Sequence, residues 1–204
     1  MPETKARLVR KAILAQYALL AYNLAEGFLS VFFGLGSGSV ALFGFGLDSF
    51  IEAASTAIVL LRLKKSGNVP EKVEESHELR AFRLVGALFI LLAIYVAFDS
   101  ARKLLLHEQP QASLAGIAIA LASIVFMGYF SKYRHGLGHK IGSRALIADS
   151  RQTQLCVFMS YALLAGIGLN ILFGWWWADP LAGIAIAALA FIEGKKALEG
   201  KTCC

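Results

Sequence analysis

The sequence predicts an all-α, polytopic membrane protein with six transmembrane helices, and three observations support this fold class. Of its 204 residues, 57% are hydrophobic and the mean hydropathy is +0.63, which is unusually apolar for a soluble domain. The apolar residues form continuous runs of the length that a helix needs to cross a bilayer, roughly 20 residues. The short alternating segments typical of a membrane β-barrel do not occur.

Six apolar runs, separated by turn or charged segments, form one predicted domain over residues 1–204. The first run follows a basic segment but is longer than the apolar part of a signal peptide, so we interpret it as a retained helix. Pro180 opens the sixth run, since proline is tolerated in the first turn of a helix. The predicted spans are about 11–33, 39–63, 81–106, 113–133, 145–172 and 180–198.

The distribution of basic residues predicts the topology. Seventeen of the 20 lysines and arginines lie in the N-terminal tail, in the segments around 62–83 and 132–144, or at the C-terminus. Only Arg102 and Lys103 lie in the loops of the other side. Because positive loops stay in the cytoplasm, we expect both termini there, in a multi-pass protein of the cell (inner) membrane.

Several functional classes are not favoured by the sequence. The net charge of +6 could suggest nucleic-acid binding, but the basic residues cluster at the ends of apolar runs. There is no phosphate-binding loop and no nucleophile–base pair, so we expect neither an enzyme nor a bound cofactor. Cys203 and Cys204 are adjacent and badly placed to bridge each other. They could bind a soft metal, although a frayed tail is the simpler interpretation.

Two acidic residues lie deep in the second apolar run. Asp48 and Glu52 are four residues apart, so their side chains share one face of a helix. A carboxylate at that depth is costly unless it meets a partner, a proton or a cation. This pair therefore indicates a cation site on a transport path, and the alternative is two protonated acids hydrogen-bonded to neighbouring helices.

Other polar residues lie in the first and fifth spans, whereas the third and fourth have almost nothing ionisable at their centres. Asp149, Gln152 and Cys156 are spaced i, i+3 and i+7 and share a face. If the polar groups of spans one, two and five meet, two carboxylates, an amide oxygen and a thiolate form a four-donor site suited to Zn²⁺ or Cd²⁺. Cys156 has the alternative role of a small buried hydrophobic residue.

Asn23 and Glu26 share a face of the first span, and with Asp149 they are candidates for lining the path or carrying protons. Asn23 has the alternative role of an interhelical hydrogen bond, and Glu26 that of an ion pair with Arg151. In the segment between spans two and three, His77 with its neighbouring glutamates could attract cations, although a solvated charged loop is the simpler interpretation.

Several motifs resemble those of the cation diffusion facilitator family. The segment at 38–52, Gly-Ser-Val-Ala-Leu followed by Asp48-Ser-Phe-Ile-Glu52, is similar to the second span of that family. Gly-Ser-Arg-Ala-Leu at 142–146, leading to Asp149, resembles the start of its fifth span, and Trp-Ala-Asp-Pro at 177–180 resembles the lead into its sixth. The similarity covers about residues 10–200.

The resemblance implies a homodimeric transporter in the lipid bilayer that exports divalent transition metals, usually zinc, in exchange for protons. It implies a tetrahedral site at the positions of Asp48, Glu52, Gln152 and Cys156. The family most often has histidine and aspartate at the positions of Gln152 and Cys156, so the resemblance does not identify the metal. It also implies a cytoplasmic domain that we expect this chain to lack, so that membrane helices would hold the dimer. A passive cation pore and a non-transporting scaffold or sensor are the alternatives.

Overall fold

The computed structural model describes the backbone of residues 5–65, 71–111 and 113–199, and the side chains of these residues apart from 65 and 71–82. Within these ranges all regular structure is helical, which confirms the predicted class. The six helices are α1 (Lys5–Ser37), α2 (Val40–Lys65), α3 (Glu71–Leu106), α4 (Leu114–Ile141), α5 (Arg144–Phe173) and α6 (Ala178–Leu198). The side chains around His77, and Cys203 and Cys204 at the C-terminus, lie outside the described part of the chain.

The largest correction to the predicted boundaries concerns the segment 134–144. We predicted a basic, glycine-containing loop there, but α4 continues to Ile141 and only two residues separate it from α5. Gly138 allows close packing rather than a turn, because a Cβ there would come within 2.7 Å of the Ile147 side chain on α5. The helix ends at Gly142, whose φ of 73° is the left-handed conformation that glycine adopts readily. Similarly, α3 begins ten residues before its predicted span.

Four helices form the central bundle of the molecule. Helices α1, α2, α5 and α4 contact one another in a closed ring, and α3 and α6 form a pair that packs beside this ring on α2 and α5. An apolar core fills the space between the pair and the ring, and it includes Phe45, Phe89, Leu163 and Ile186. The interior of the ring itself is largely polar and is described below.

The beginnings of α2 and α6 are tied together by Asp179. Its carboxylate accepts hydrogen bonds from the Ser39 hydroxyl and from the Val40 backbone N–H at 3.0 Å. A carboxylate at the N-terminus of a helix satisfies unpaired N–H groups and interacts favourably with the helix dipole. The Trp-Ala-Asp-Pro segment at 177–180 therefore has a structural role, which is to anchor α6 to the start of α2.

Five of the six helices are long and apolar enough to cross a membrane, by length and composition. Helix α6 has charged residues near both of its ends, so its uncharged stretch runs only from Pro180 to Ile192. Large apolar side chains such as Phe28, Phe32, Phe98 and Leu172 are exposed on the outside of the bundle. A polar interior with an apolar exterior is the distribution expected of a multi-pass membrane protein.

Candidate functional site

A column of buried polar side chains runs through the four-helix ring. Each of the four helices contributes to it, and nearly all of these side chains are inaccessible to solvent. Its members are Gln16, Asn23, Glu26, Asp48, Ser49, Glu52, Ser55, Thr56, Ser123, Ser131, Arg134, Asp149, Ser150, Thr153 and Ser160. So many buried polar groups in an apolar protein indicate a functional interior, because each one is costly unless it is paired.

Asp48, Glu52 and Cys156 come together in this column. The Cys156 thiol donates to Asp48 Oδ2 at 3.1 Å, and Glu52 also lies beside this thiol. Both carboxylates are fully buried, and Asp48 Oδ1 and Glu52 Oε2 have no hydrogen-bond partner. Two unpaired carboxylate oxygens and a thiol are therefore grouped between α2 and α5.

Gln152 lies apart from these three residues. Its Oε1 accepts a hydrogen bond of 3.1 Å from Ser55, one turn beyond Glu52 on α2, and its Nε2 is buried without a partner. The position next to it, Thr153, instead reaches Glu52 and donates to Glu52 Oε1. The predicted fourth ligand thus lies one layer away from the other three, and its role as a ligand stays a prediction.

A buried ion pair joins α4 to α5 beside this group. The guanidinium of Arg134 contacts the carboxylate of Asp149, and both side chains are fully buried. Asp149 also accepts hydrogen bonds of 3.0 Å from Gln16 on α1 and from Ser55 on α2. Asp149 therefore holds all four helices of the ring together, which places this predicted path residue in a structural network.

Arg134 corrects the prediction made for the segment 134–144. We counted it among the cytoplasmic loop charges, but it is a fully buried residue of α4. Its Nη1 donates to the Thr153 hydroxyl at 2.9 Å, and that hydroxyl donates in turn to Glu52 Oε1 at 2.5 Å. The positive charge is thus linked to the carboxylate group through one hydroxyl. The other sixteen basic residues counted for the cytoplasmic side are unaffected by this correction, and the topology stays a prediction.

The two polar residues of α1 differ in their partners. Glu26 accepts hydrogen bonds from Tyr22 at 3.0 Å and from Ser49 at 2.9 Å, whereas Arg151 is exposed on α5. The alternative ion pair between Glu26 and Arg151 is therefore not formed. Asn23 lies beside Glu52, but neither its amide nitrogen nor its oxygen makes a hydrogen bond.

The candidate ligands Asp48, Glu52 and Cys156 lie near one another, but they do not surround a common point. In the described part of the chain, no three His, Cys, Asp or Glu side chains are arranged closely enough to hold a metal ion. Zinc requires its donors at about 2.0–2.3 Å from one point. The side chains of Asp48, Glu52 and Cys156 therefore have to rearrange before they can act as ligands of one ion.

The fold and the buried acidic group define a class, a multi-pass membrane protein with carboxylates in its interior. Residues 17–198 match the model of the cation efflux transmembrane domain, and the chain therefore belongs to this family. This match confirms the resemblance seen in the sequence.

Curated relatives agree with the family assignment. An uncharacterized transporter of Synechocystis sp. is 25% identical, over 89% of this chain and 59% of its own length. One of Methanocaldococcus jannaschii is 25% identical, over 82% of this chain and 60% of its own length. A probable cation efflux system protein of Mycobacterium tuberculosis is 31% identical, over 74% of this chain and 47% of its own length. The chain thus spans about 60% or less of the length of these relatives.

Proposed function

We propose that this protein exports divalent transition-metal ions, most readily zinc and also cadmium, from the cytoplasm in exchange for protons. The proposal includes a homodimer in the cell (inner) membrane with both termini in the cytoplasm. Family membership and the names of the relatives, which include a probable cation efflux system protein, support cation transport. The metal, the proton coupling and the dimer are expectations from the resemblance.

One observation supports a cation site most strongly. Asp48 Oδ1 and Glu52 Oε2 are buried carboxylate oxygens without a partner, on successive turns of the same helix face. A buried acid in this situation must either hold a proton or bind a cation. Exchange between these two states at the same oxygens is the chemical step that a metal–proton antiporter requires.

The Cys156 thiol gives this site its chemical character. Oxygen donors alone suit Mg²⁺ and Ca²⁺, whereas a sulfur donor favours zinc and softer metals. A thiol must lose its proton to become a ligand, so metal binding at Asp48, Glu52 and Cys156 releases protons. Gln152 completes the proposed shell with its amide oxygen after turning from Ser55.

The proposed transport cycle follows from changes in the charge of Asp48 and Glu52. A metal ion that arrives from the cytoplasm neutralises Asp48 and Glu52, which removes their mutual repulsion and lets α2 and α5 rearrange. Protons from the far side then compete for the same carboxylates and for the thiol, and the metal leaves. Asn23 and Glu26 line the path in this scheme, and Glu26 is a candidate proton carrier.

The test is zinc flux into proteoliposomes with an imposed pH gradient. We expect saturable flux that follows the gradient, is lost in Asp48→Asn, and persists in Asp99→Asn. Asp99 is a matched control because it is a carboxylate of a membrane helix that is already paired with Arg102 and Lys103. Flux that ignores the pH gradient and does not saturate indicates a pore. A protein that neither transports nor binds metal indicates a scaffold or sensor.

A further inference from the structure

Two histidines form a pair on α4, outside the buried column. His135 and His139 are one helical turn apart, and their Nε2 atoms are 3.2 Å from each other. The rings meet nearly edge to face, with an interplanar angle of 75°. His135 is partly buried and His139 is exposed, so the pair is accessible from the surface of the bundle.

Hydrogen bonding orients the ring of His135. Its Nδ1 lies 3.1 Å from the Ser150 hydroxyl oxygen, and this oxygen lies 2.6 Å from the Ile147 carbonyl oxygen. When the hydroxyl donates to Ile147 and accepts from His135 Nδ1–H, the lone pair of His135 Nε2 is free to bind a metal ion. A histidine whose second nitrogen is fixed by a hydrogen bond is typical of metal ligands.

The distance between the two nitrogens fits ligands of one metal ion. Zn–N bonds of about 2.0–2.1 Å at angles of about 90–109° place two nitrogens about 2.9–3.4 Å apart. The observed separation of 3.2 Å lies in this range, and two histidines spaced i, i+4 on a helix are a known zinc-binding arrangement. We propose that His135 and His139 bind a transition-metal ion at a second site, separate from Asp48, Glu52 and Cys156.

The surroundings of the pair predict a weak, exchangeable site. In the described part of the chain, no Asp, Glu or Cys side chain joins the two histidines to make a third ligand, so water completes the coordination. Arg151 lies close enough to His135 to act on it electrostatically, and its positive charge opposes a bound cation. Among divalent ions Cu²⁺ binds such imidazole sites most tightly, which makes it a suitable probe.

The test is electron paramagnetic resonance of Cu²⁺ bound to the full chain. The background contains Asp48→Asn, Cys203→Ser and Cys204→Ser, which removes a buried ligand and the two terminal thiols. We expect one Cu²⁺ ion with two equatorial imidazole nitrogens. That signal should be lost in His135→Ala and in His139→Ala, and it should persist in His107→Ala, a histidine on the far side of the bundle.

Further variants separate this site from unspecific binding. His139→Ala/Lys140→His keeps two histidines but moves one to another face of α4, so the two-nitrogen signal should disappear. Ser150→Ala should weaken Cu²⁺ binding about tenfold because it removes the partner that orients His135. Arg151→Gln should tighten binding. A two-nitrogen signal that survives both single histidine variants, or its absence from the parent protein, overturns the proposal. The signal does not depend on transport, so this result is independent of the proposed function.

Discussion

Arg134 on α4 and Asp149 on α5 form an ion pair that is fully buried inside the membrane domain. Gln16 from α1 and Ser55 from α2 also donate hydrogen bonds to the Asp149 carboxylate. This one group on α5 therefore connects all four helices of the ring. Through Thr153 the arginine also reaches Glu52, one of the proposed metal ligands. The pair therefore supports the fold and positions the site.

The first prediction concerns the stability that depends on this ion pair. Arg134→Met should lower the free energy of unfolding by about 3–5 kcal/mol, because it leaves Asp149 buried without its counter-charge. Arg134→Met/Asp149→Leu should recover much of this loss, since neither charge of this pair then remains without its partner. Unfolding in mixed SDS–detergent micelles measures both values.

Arg151→Met is the control for Arg134→Met. It removes an arginine that is exposed on α5, and it should change the stability by about 0.5 kcal/mol at most. An Arg134→Met protein as stable as this control would show that the pair contributes nothing. A double variant no more stable than Arg134→Met would show that the unpaired Asp149 carboxylate is not the cause of the lost stability.

The second prediction concerns Thr153, whose hydroxyl connects Arg134 to Glu52. Thr153→Val keeps the shape of the side chain but leaves a guanidinium N–H and a carboxylate oxygen buried without a partner. The free energy of unfolding should fall by about 1–3 kcal/mol. Thr153→Ser retains the hydroxyl and should preserve most of the stability. Equal losses in the two variants would mean that the methyl group, and not the hydroxyl, is what matters.

The third prediction concerns the contact between α3 and α6. A Cβ at Gly86 would lie 2.9 Å from the Gly194 carbonyl oxygen, and one at Gly194 would lie 2.8 Å from that of Gly86. Gly86→Ala should therefore separate the helices and cost about 1–3 kcal/mol in the unfolding assay. Gly128→Ala is the control, because a Cβ there meets nothing within 4 Å. Unchanged stability in Gly86→Ala would contradict the close packing.

The fourth prediction concerns the choice of metal. With a thiol among its ligands the site should bind Cd²⁺ as well as Zn²⁺, and Cys156→Asp should weaken Cd²⁺ binding relative to Zn²⁺ binding because oxygen is the harder donor. Competition between the two ions for the purified protein measures the ratio, with Cys156→Ser as the variant that removes the sulfur alone. An identical ratio in the three proteins would exclude Cys156 as a ligand.

The six helices were predictable from the sequence because long apolar runs leave few alternatives in a bilayer. The end of α4 was not. Its charged and glycine residues are typical of a loop, but Gly138 fits against Ile147 and the helix continues to Ile141. Only the packing of α4 on α5 distinguishes these two cases, and one sequence does not contain that packing.

The roles of Arg134 and Thr153 in the site were not predicted, because they too depend on how α4 and α5 pack. A buried acid such as Asp149 requires a partner, which was a signal for a basic residue nearby. The choice among Lys132, Arg134 and Lys140 depends on the register of α4 against α5, which one sequence does not give. On α5, positions 152 and 153 lie on either side of the line from Asp149 to Cys156. The sequence favoured the amide, whereas the structure places the hydroxyl of position 153 against Glu52.

The most direct test of a metal site between α2 and α5 is the X-ray absorption spectrum of the zinc-loaded protein. The background contains Cys203→Ser, Cys204→Ser, His135→Ala and His139→Ala, which removes the competing ligands. We expect one sulfur at about 2.3 Å from zinc, with oxygen neighbours at about 2.0–2.2 Å, and loss of the sulfur in Cys156→Ser. A zinc ion without sulfur, or a sulfur that persists in Cys156→Ser, would contradict the account.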